Sequence, residues 1–213
     1  MKINLIAAAL CLLCAIGTNA QTKYTTYQSP GMFSLGTRNT VSMFNHDKAV
    51  GVGIGGQARV QLLKKLGTEW FFDYIPSKNG KLTYKNDYHF GWSVMYYPSK
   101  NTTQERFIQP YILAGHCFDY SRVTEQGNKK NYADRWSMAT QAGVGTHFNI
   151  SPRLDASLSA QYMLHFGKEI ETSLDKGAVV IAKAPNTSVD GHFLVTLSVN
   201  YKFFHWWNRD DNL

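Results

Sequence analysis

Cysteine is nearly absent from this chain. Its 213 residues include three, and two of them, Cys11 and Cys14, lie in an apolar N-terminal run. Only Cys117 remains beyond that run, which excludes an internal disulfide framework. Long apolar stretches are missing as well. After the first twenty residues none approaches the ~18 that a membrane-crossing helix needs. Charged residues make up a modest 17%, and no long basic block occurs. Lys64-Lys65 and Lys129-Lys130 are only pairs. Positive charge scattered through turns gives no reason to expect a nucleic-acid partner. No short metal-ligand spacing is present, and no cofactor is expected.

The N-terminus reads as a leader. Met1-Lys2 gives a short positive start, Ile3 to Ile16 is apolar apart from Asn4, and Thr18-Asn19-Ala20 supplies small residues at a cleavage site. The expectation is a signal peptide over 1–20 and a single domain over 21–213. Neither leader cysteine follows the small residue that lipid attachment requires. Lys2 leaves with the leader, so 21 of the 22 basic residues face 15 acidic ones.

What the rest of the chain has in abundance is alternation. From Phe193 to Phe204 the apolar residues are Phe193, Val195, Leu197, Val199, Tyr201 and Phe203. Polar residues fill the gaps, with Leu194 and Phe204 as exceptions. Period two gives a strand one greasy face and one wet face. Seven further segments alternate: Met32 to Phe44, Val50 to Leu62, Thr68 to Tyr74, Tyr88 to Tyr97, Ile108 to Tyr120, Trp136 to Ile150 and Leu154 to Phe166. Most have about the ~9–11 residues of a tilted strand crossing a bilayer, and an even count suits antiparallel closure.

The connections alternate too. Leu63 to Gly67 and Ser151-Pro152-Arg153 are short; residues 75–87, 121–135 and 167–191 read as long polar loops. Short turns on one side and long loops on the other mark a membrane barrel. The greasy faces carry Trp70, Trp92, Trp136, Phe90, Phe118 and Tyr162 among others. These rings would overfill an eight-stranded lumen, which holds little more than its own side chains. The greasy face therefore looks out to lipid. Its aromatics gather near segment ends, where interfaces favour them. Tyr96, Phe148, Tyr201 and Phe203 fall in one girdle, and Tyr74, Tyr88, Phe118, Tyr120, Trp136, Phe166 and Phe193 in the other. The fold class is all-β: an eight-stranded antiparallel up-and-down transmembrane β-barrel.

At this point the chain resembles the small eight-stranded outer-membrane barrels of Gram-negative bacteria, the OmpA/OmpX/OmpW-like group. The stretches that carry the resemblance are Gln109-Pro110-Tyr111-Ile112-Leu113-Ala114-Gly115, Gln141-Ala142-Gly143-Val144-Gly145-Thr146-His147-Phe148, Ser151-Pro152-Arg153-Leu154-Asp155 and the final strand. The resemblance implies an outer-membrane location, with outer-membrane lipid around the wall. It implies that Tyr201 and Phe203 act as the assembly signal read by the barrel-assembly machinery. Two departures stand out: the chain continues past the last strand over 205–213, and no peptidoglycan-binding domain follows.

Three constellations could carry chemistry. Arg38, Arg59, Glu69, Asp73, Asp155 and Lys202 face the interior and are expected to form a polar lumen network, because buried charges need partners. His46, His89, His165 and His192 fall near the external rim, at the height of Asp73 and Asp119. Converging imidazoles and a carboxylate would suit a transition metal or respond to pH near 6. On the outer wall His116 lies across from Thr140. No carboxylate joins them, and the His-x-Ser-Asn motif of lipid A deacylases is missing, so no catalytic residues are assigned. The expected role is non-enzymatic, in surface interaction or envelope structure, with an extracellular partner meeting 75–87, 121–135 or 167–191. A narrow channel for small or hydrophobic solutes is the second reading, and an outer-leaflet lipid-modifying enzyme the third.

Overall fold

The computed structural model describes residues 29–44, 50–79, 82–98 and 107–207. The leader, His46 and residues 208–213 lie outside them. Among the described residues eight strands follow in chain order: β1 Met32–Phe44, β2 Val50–Leu63, β3 Leu66–Asn79, β4 Thr83–Tyr96, β5 Ile108–Glu125, β6 Asn128–Asn149, β7 Leu154–Asp175 and β8 Ala178–His205. Each pairs antiparallel with the next, and β1 pairs with β8, from Met32↔His205 to Phe44↔His192, to close the ring. Closure leaves no backbone edge unpaired where lipid offers no hydrogen bonds.

The molecule is inside out by the standards of a water-soluble protein. Phe90 is 63% exposed and Trp136 74%, while Asp73 and Asp155 are fully buried. Alternation places the first kind on the wall and the second in the lumen. On the wall, Tyr74, Tyr88, Tyr120 and Trp136 share one register line across β3, β4, β5 and β6. Their ring centroids are 5.0, 6.0 and 5.1 Å apart in succession. This aromatic ladder marks the outer edge of the apolar belt.

Above that ladder the structure corrects the sequence reading. The described parts of 75–87, together with 121–135 and 167–191, are paired extended strands rather than long loops, because β3 to β8 all run beyond the belt. Outside lipid a strand no longer needs alternation, so its polarity stops reporting the ladder that its backbone still makes. The β7–β8 hairpin ends in Lys176-Gly177, both with positive φ (50° and 86°). Two positive φ values suit a turn that follows the strands' own twist, and glycine adopts one without strain.

At the opposite end the first residues past the last strand close the seam. Trp206 N–H donates to Gly31 carbonyl at 2.9 Å, and Gly31 N–H to Gln61 carbonyl at 2.7 Å. Phe33 stacks on Phe204 and Trp206, with centroids 5.3 and 5.1 Å apart. Part of the tail is therefore a clasp across β1, β2 and β8.

The wall assignment has a direct test. Leu197 is 52% exposed on β8, midway between the aromatic ends Phe193 and Tyr201. Leu197→Arg in lipid vesicles is expected to cost about 2–4 kcal/mol, read from urea unfolding. A substitution without effect would place this face in water.

Candidate functional site

The lumen holds the chain's concentrated chemistry. Its inner half gathers six charged side chains from five strands. Arg38 of β1 reaches Asp73 at 2.9 Å and Glu69 at 3.2 Å. Arg59 of β2 reaches the other Glu69 oxygen at 3.3 Å and Asp155 of β7 at 3.2 Å. Lys202 of β8 lies 3.5 Å from Asp155. Three cations thus meet three carboxylates, all in one interior. Arg59 and Glu69 are cross-strand partners in the β2–β3 hairpin, so their pairing follows from register alone. Arg38 comes across from β1, and Asp155 from the far side of the ring.

Neutral groups complete this network. Arg59 Nη2 donates to Ser157 at 3.0 Å, and its Nη1 lies 3.1 Å from His147 Nδ1. Asn200 donates to Asp155 at 3.1 Å, and Lys202 to Asn149 at 3.0 Å. Tyr97 Oη is 3.0 Å from His147 Nε2. Arg uses its several fixed N–H donors here, which a lysine would not match. A cavity of about 20 Å³, room for about one water, remains beside Arg59, Met95, Tyr97 and Lys202.

Above the ions lies an apolar layer that faces inward: Phe71, Ile75, Cys117, Ala139, Met163 and Leu194. These residues sit on the polar phase of their strands, where they break the alternation. Arg38 caps the layer from below, its guanidinium carbon 4.3 Å from the Phe71 ring centre. Gly91 gives that ring its space, since a Cβ there would collide with it.

Above this layer His89, His165 and His192 converge on Asp119. His165 Nδ1 contacts Asp119 Oδ2, His89 Nε2 lies 3.6 Å from Oδ1, and His165 Nε2 faces His192 Nε2 at 3.3 Å. Cys117 Sγ donates to Asp119 at 3.1 Å. All five are buried. Three of the four rim histidines named from sequence are therefore gathered, and the fourth, His46, falls outside the described residues. Among those described, no group of three or more His, Cys, Asp or Glu is arranged to hold a metal ion.

The outer-wall pair is different. His116 does lie opposite Thr140 in register, and opposite Trp92 on the other side. Its ring rests edge-on against Phe118 at 4.8 Å. Tyr201 and Phe203 stack edge-on at 5.0 Å on the wall, and Phe203 is 50% exposed.

Sequence reasoning missed Tyr97, His147, Asn149, Ser157 and Asn200 as members of the inner network, and the apolar layer altogether. The layer had a signal: Leu194, Met163 and Phe71 each stand where alternation asks for a polar residue.

Asp155 is the hinge of the inner network. Asp155→Leu would leave Arg59 and Lys202 without their shared carboxylate in a dry site. The expected loss is about 3–5 kcal/mol of stability in detergent or vesicles, seen as a lower denaturant midpoint. An unchanged midpoint would mean that the ions are hydrated and uncoupled.

No protein-family model and no curated protein matches the sequence. Solved structures do match. The chain is similar to a major outer membrane protein from Thermus thermophilus, with a TM-score of 0.55 at 12% identity over 80% of this chain and 99% of that one. It is similar to the N-terminal β-barrel domain of Pseudomonas aeruginosa OprF, with a TM-score of 0.51 at 13% identity over 83% and 100%. Neisserial surface protein A gives a TM-score of 0.50 at 18% identity over 83% and 99%. What is shared is the fold: the closed eight-stranded ring of this chain is that of small outer-membrane β-barrels.

Proposed function

We propose that this chain is an outer-membrane barrel with a sealed lumen and no enzymatic activity, which acts at the cell surface through its external hairpins. The observation that carries this reading is the filled interior. Balanced charges close the inner half, and Phe71, Ile75, Met163 and Leu194 close the middle. Ions crossing such a lumen would have to break several buried pairs and then pass an apolar layer.

The exterior supports the second half of the reading. Beyond Phe166 and Val189, β7 and β8 continue as a hairpin from Gly167↔Ser188 to Asp175↔Ala178. Leu174 is 60% exposed along it. Asn131 of β6 donates to Val179 carbonyl at 2.7 Å, which braces the arm against its neighbour. A braced, projecting hairpin presents a defined surface to a partner outside the cell. Outer-membrane lipid solvates the wall below it, and Tyr201 and Phe203 on the last strand suit recognition by the barrel-assembly machinery.

A narrow channel for small or hydrophobic solutes is the competing reading, and one experiment separates the two. The purified barrel in a planar bilayer at neutral pH is expected to show no steady conductance. Reproducible single-channel steps would overturn the sealed lumen. Replacing residues 170–183 with a short turn is expected to leave heat-modifiable gel mobility intact, because the arm lies beyond the closed ring. Loss of that mobility would make the arm part of the folding unit.

A further inference from the structure

The histidine cluster of the outer lumen takes no part in the function proposed above. It is also built with more care than filler needs. Asp119 belongs to β5 and His165 to β7, with β6 between them. They meet because Ala139, the β6 residue paired with both Cys117 and His165, carries almost no side chain. His192 on β8 stacks on His89 of β4 across the lumen, their ring centroids 5.6 Å apart. The cluster therefore ties β4 and β5 to β7 and β8, the strands that carry the longest external arm.

The geometry assigns each proton. Asp119, as a carboxylate, accepts from His165 Nδ1–H. That leaves His165 Nε2 as a lone pair, so at 3.3 Å His192 must present Nε2–H to it. The contacts from Asp119 through His165 to His192 are satisfied with neutral imidazoles. One added proton can be absorbed: His165 becomes a double donor, and His192 shifts its proton to Nδ1 and accepts. A second proton on the His165–His192 contact cannot be absorbed. Two N–H groups would then face each other across the same 3.3 Å, with Asp119 as the one carboxylate in contact.

Neighbouring charges do not relieve this. Asp73 on β3 is held by Arg38, and Asp87 on β4 by Lys85 and Ser121. Lys85 on β4 and Arg135 on β6 are further positive groups acting on His192. The Cys117 thiol on β5 already donates to Asp119. Asp190 on β8 is the register partner of His165 and is half-buried at the upper edge of the cluster. On the outer described ends of β1 and β2, Ser42 is buried and uncharged, and Gly51 and Gly53 sit against Ile75.

We propose that His89, His165 and His192, gathered on Asp119, form a proton-operated latch across the outer lumen. It is closed while the group holds at most one added proton and released when acid places a second on the His165–His192 pair. Histidine is the side chain whose unperturbed range lies nearest neutral pH. Release frees β7 and β8 from β4 and β5 above the apolar layer. The inner ion network stays closed, so the barrel loosens at its outer end without becoming a pore.

Cys117 reports on the latch because it sits directly beneath it. In a form with Cys11 and Cys14 replaced by serine it is the single thiol. Labelling with dithiodipyridine, normalised to free cysteine at each pH, is expected to rise about tenfold between about pH 7.5 and about pH 5, roughly the effect of losing one charged contact. In His192→Gln, whose amide can still donate but cannot titrate, the rise is expected to vanish. His116→Gln on the outer wall should leave it in place. A flat wild-type ratio, or a rise that survives His192→Gln, would overturn the latch. Should His192→Gln fail to fold, imidazole ¹⁵N NMR of the intact barrel decides. At neutral pH the proton is expected on Nδ1 of His165 and Nε2 of His192, and any other tautomers would overturn the proposal. Conductance at neutral pH would overturn the sealed lumen instead, so the two failures are distinguishable.

Discussion

Asp155 accepts from Arg59 at 3.2 Å and lies 3.5 Å from Lys202, and neither cation has room for a hydration shell. Most other features of the molecule follow from that constraint. A ring of eight strands has an interior about as wide as its own side chains. Any charge placed there must be matched by a partner from another strand. Arg38, Arg59 and Lys202 find Glu69, Asp73 and Asp155, and the match holds only if β1, β2, β3, β7 and β8 keep their registers. A slip by one residue would turn each of these side chains outward into lipid. The ion network is thus what makes register and closure consequences of each other.

The wall obeys the opposite demand. In lipid the backbone must pair completely, and the side chains must be apolar or, at the edges, amphipathic. The Tyr74–Tyr88–Tyr120–Trp136 ladder meets both requirements at the outer edge, and the Phe33–Phe204–Trp206 clasp covers the seam at the inner end. Between them the apolar layer around Phe71 and Leu194 separates two polar chambers that do different things. The inner chamber is charge-balanced and static. The outer one, around Asp119, holds three imidazoles to one contacting carboxylate.

Much of this was legible from alternation. The β1 bounds and the lipid and lumen faces of all eight strands follow from period two, and so does the inward placement of all six network charges. What alternation could not convey was depth beyond lipid. Polar residues such as Lys168, Glu171 and Lys183 read as loop, although their backbones continue the ladder. Nor does one phase reveal which inward residues meet across the ring. Asp119 and His165 are far apart in sequence and on non-adjacent strands, and only the small Ala139 between them brings them together. The one overlooked clue was a set of misfits. Leu194 interrupts an otherwise regular strand, and it interrupts it at the level where the lumen is plugged.

The central claim is that the inner charges are mutually paired in a dry lumen. Solid-state NMR of the barrel in lipid bilayers reads this directly, through the distance from the Arg59 guanidinium nitrogen to the Asp155 carboxyl carbon. Paired charges predict strong dipolar coupling between them, with little polarisation transferred from water to the Arg59 side chain. Weak coupling with strong transfer from water would show a hydrated, open interior and contradict the account.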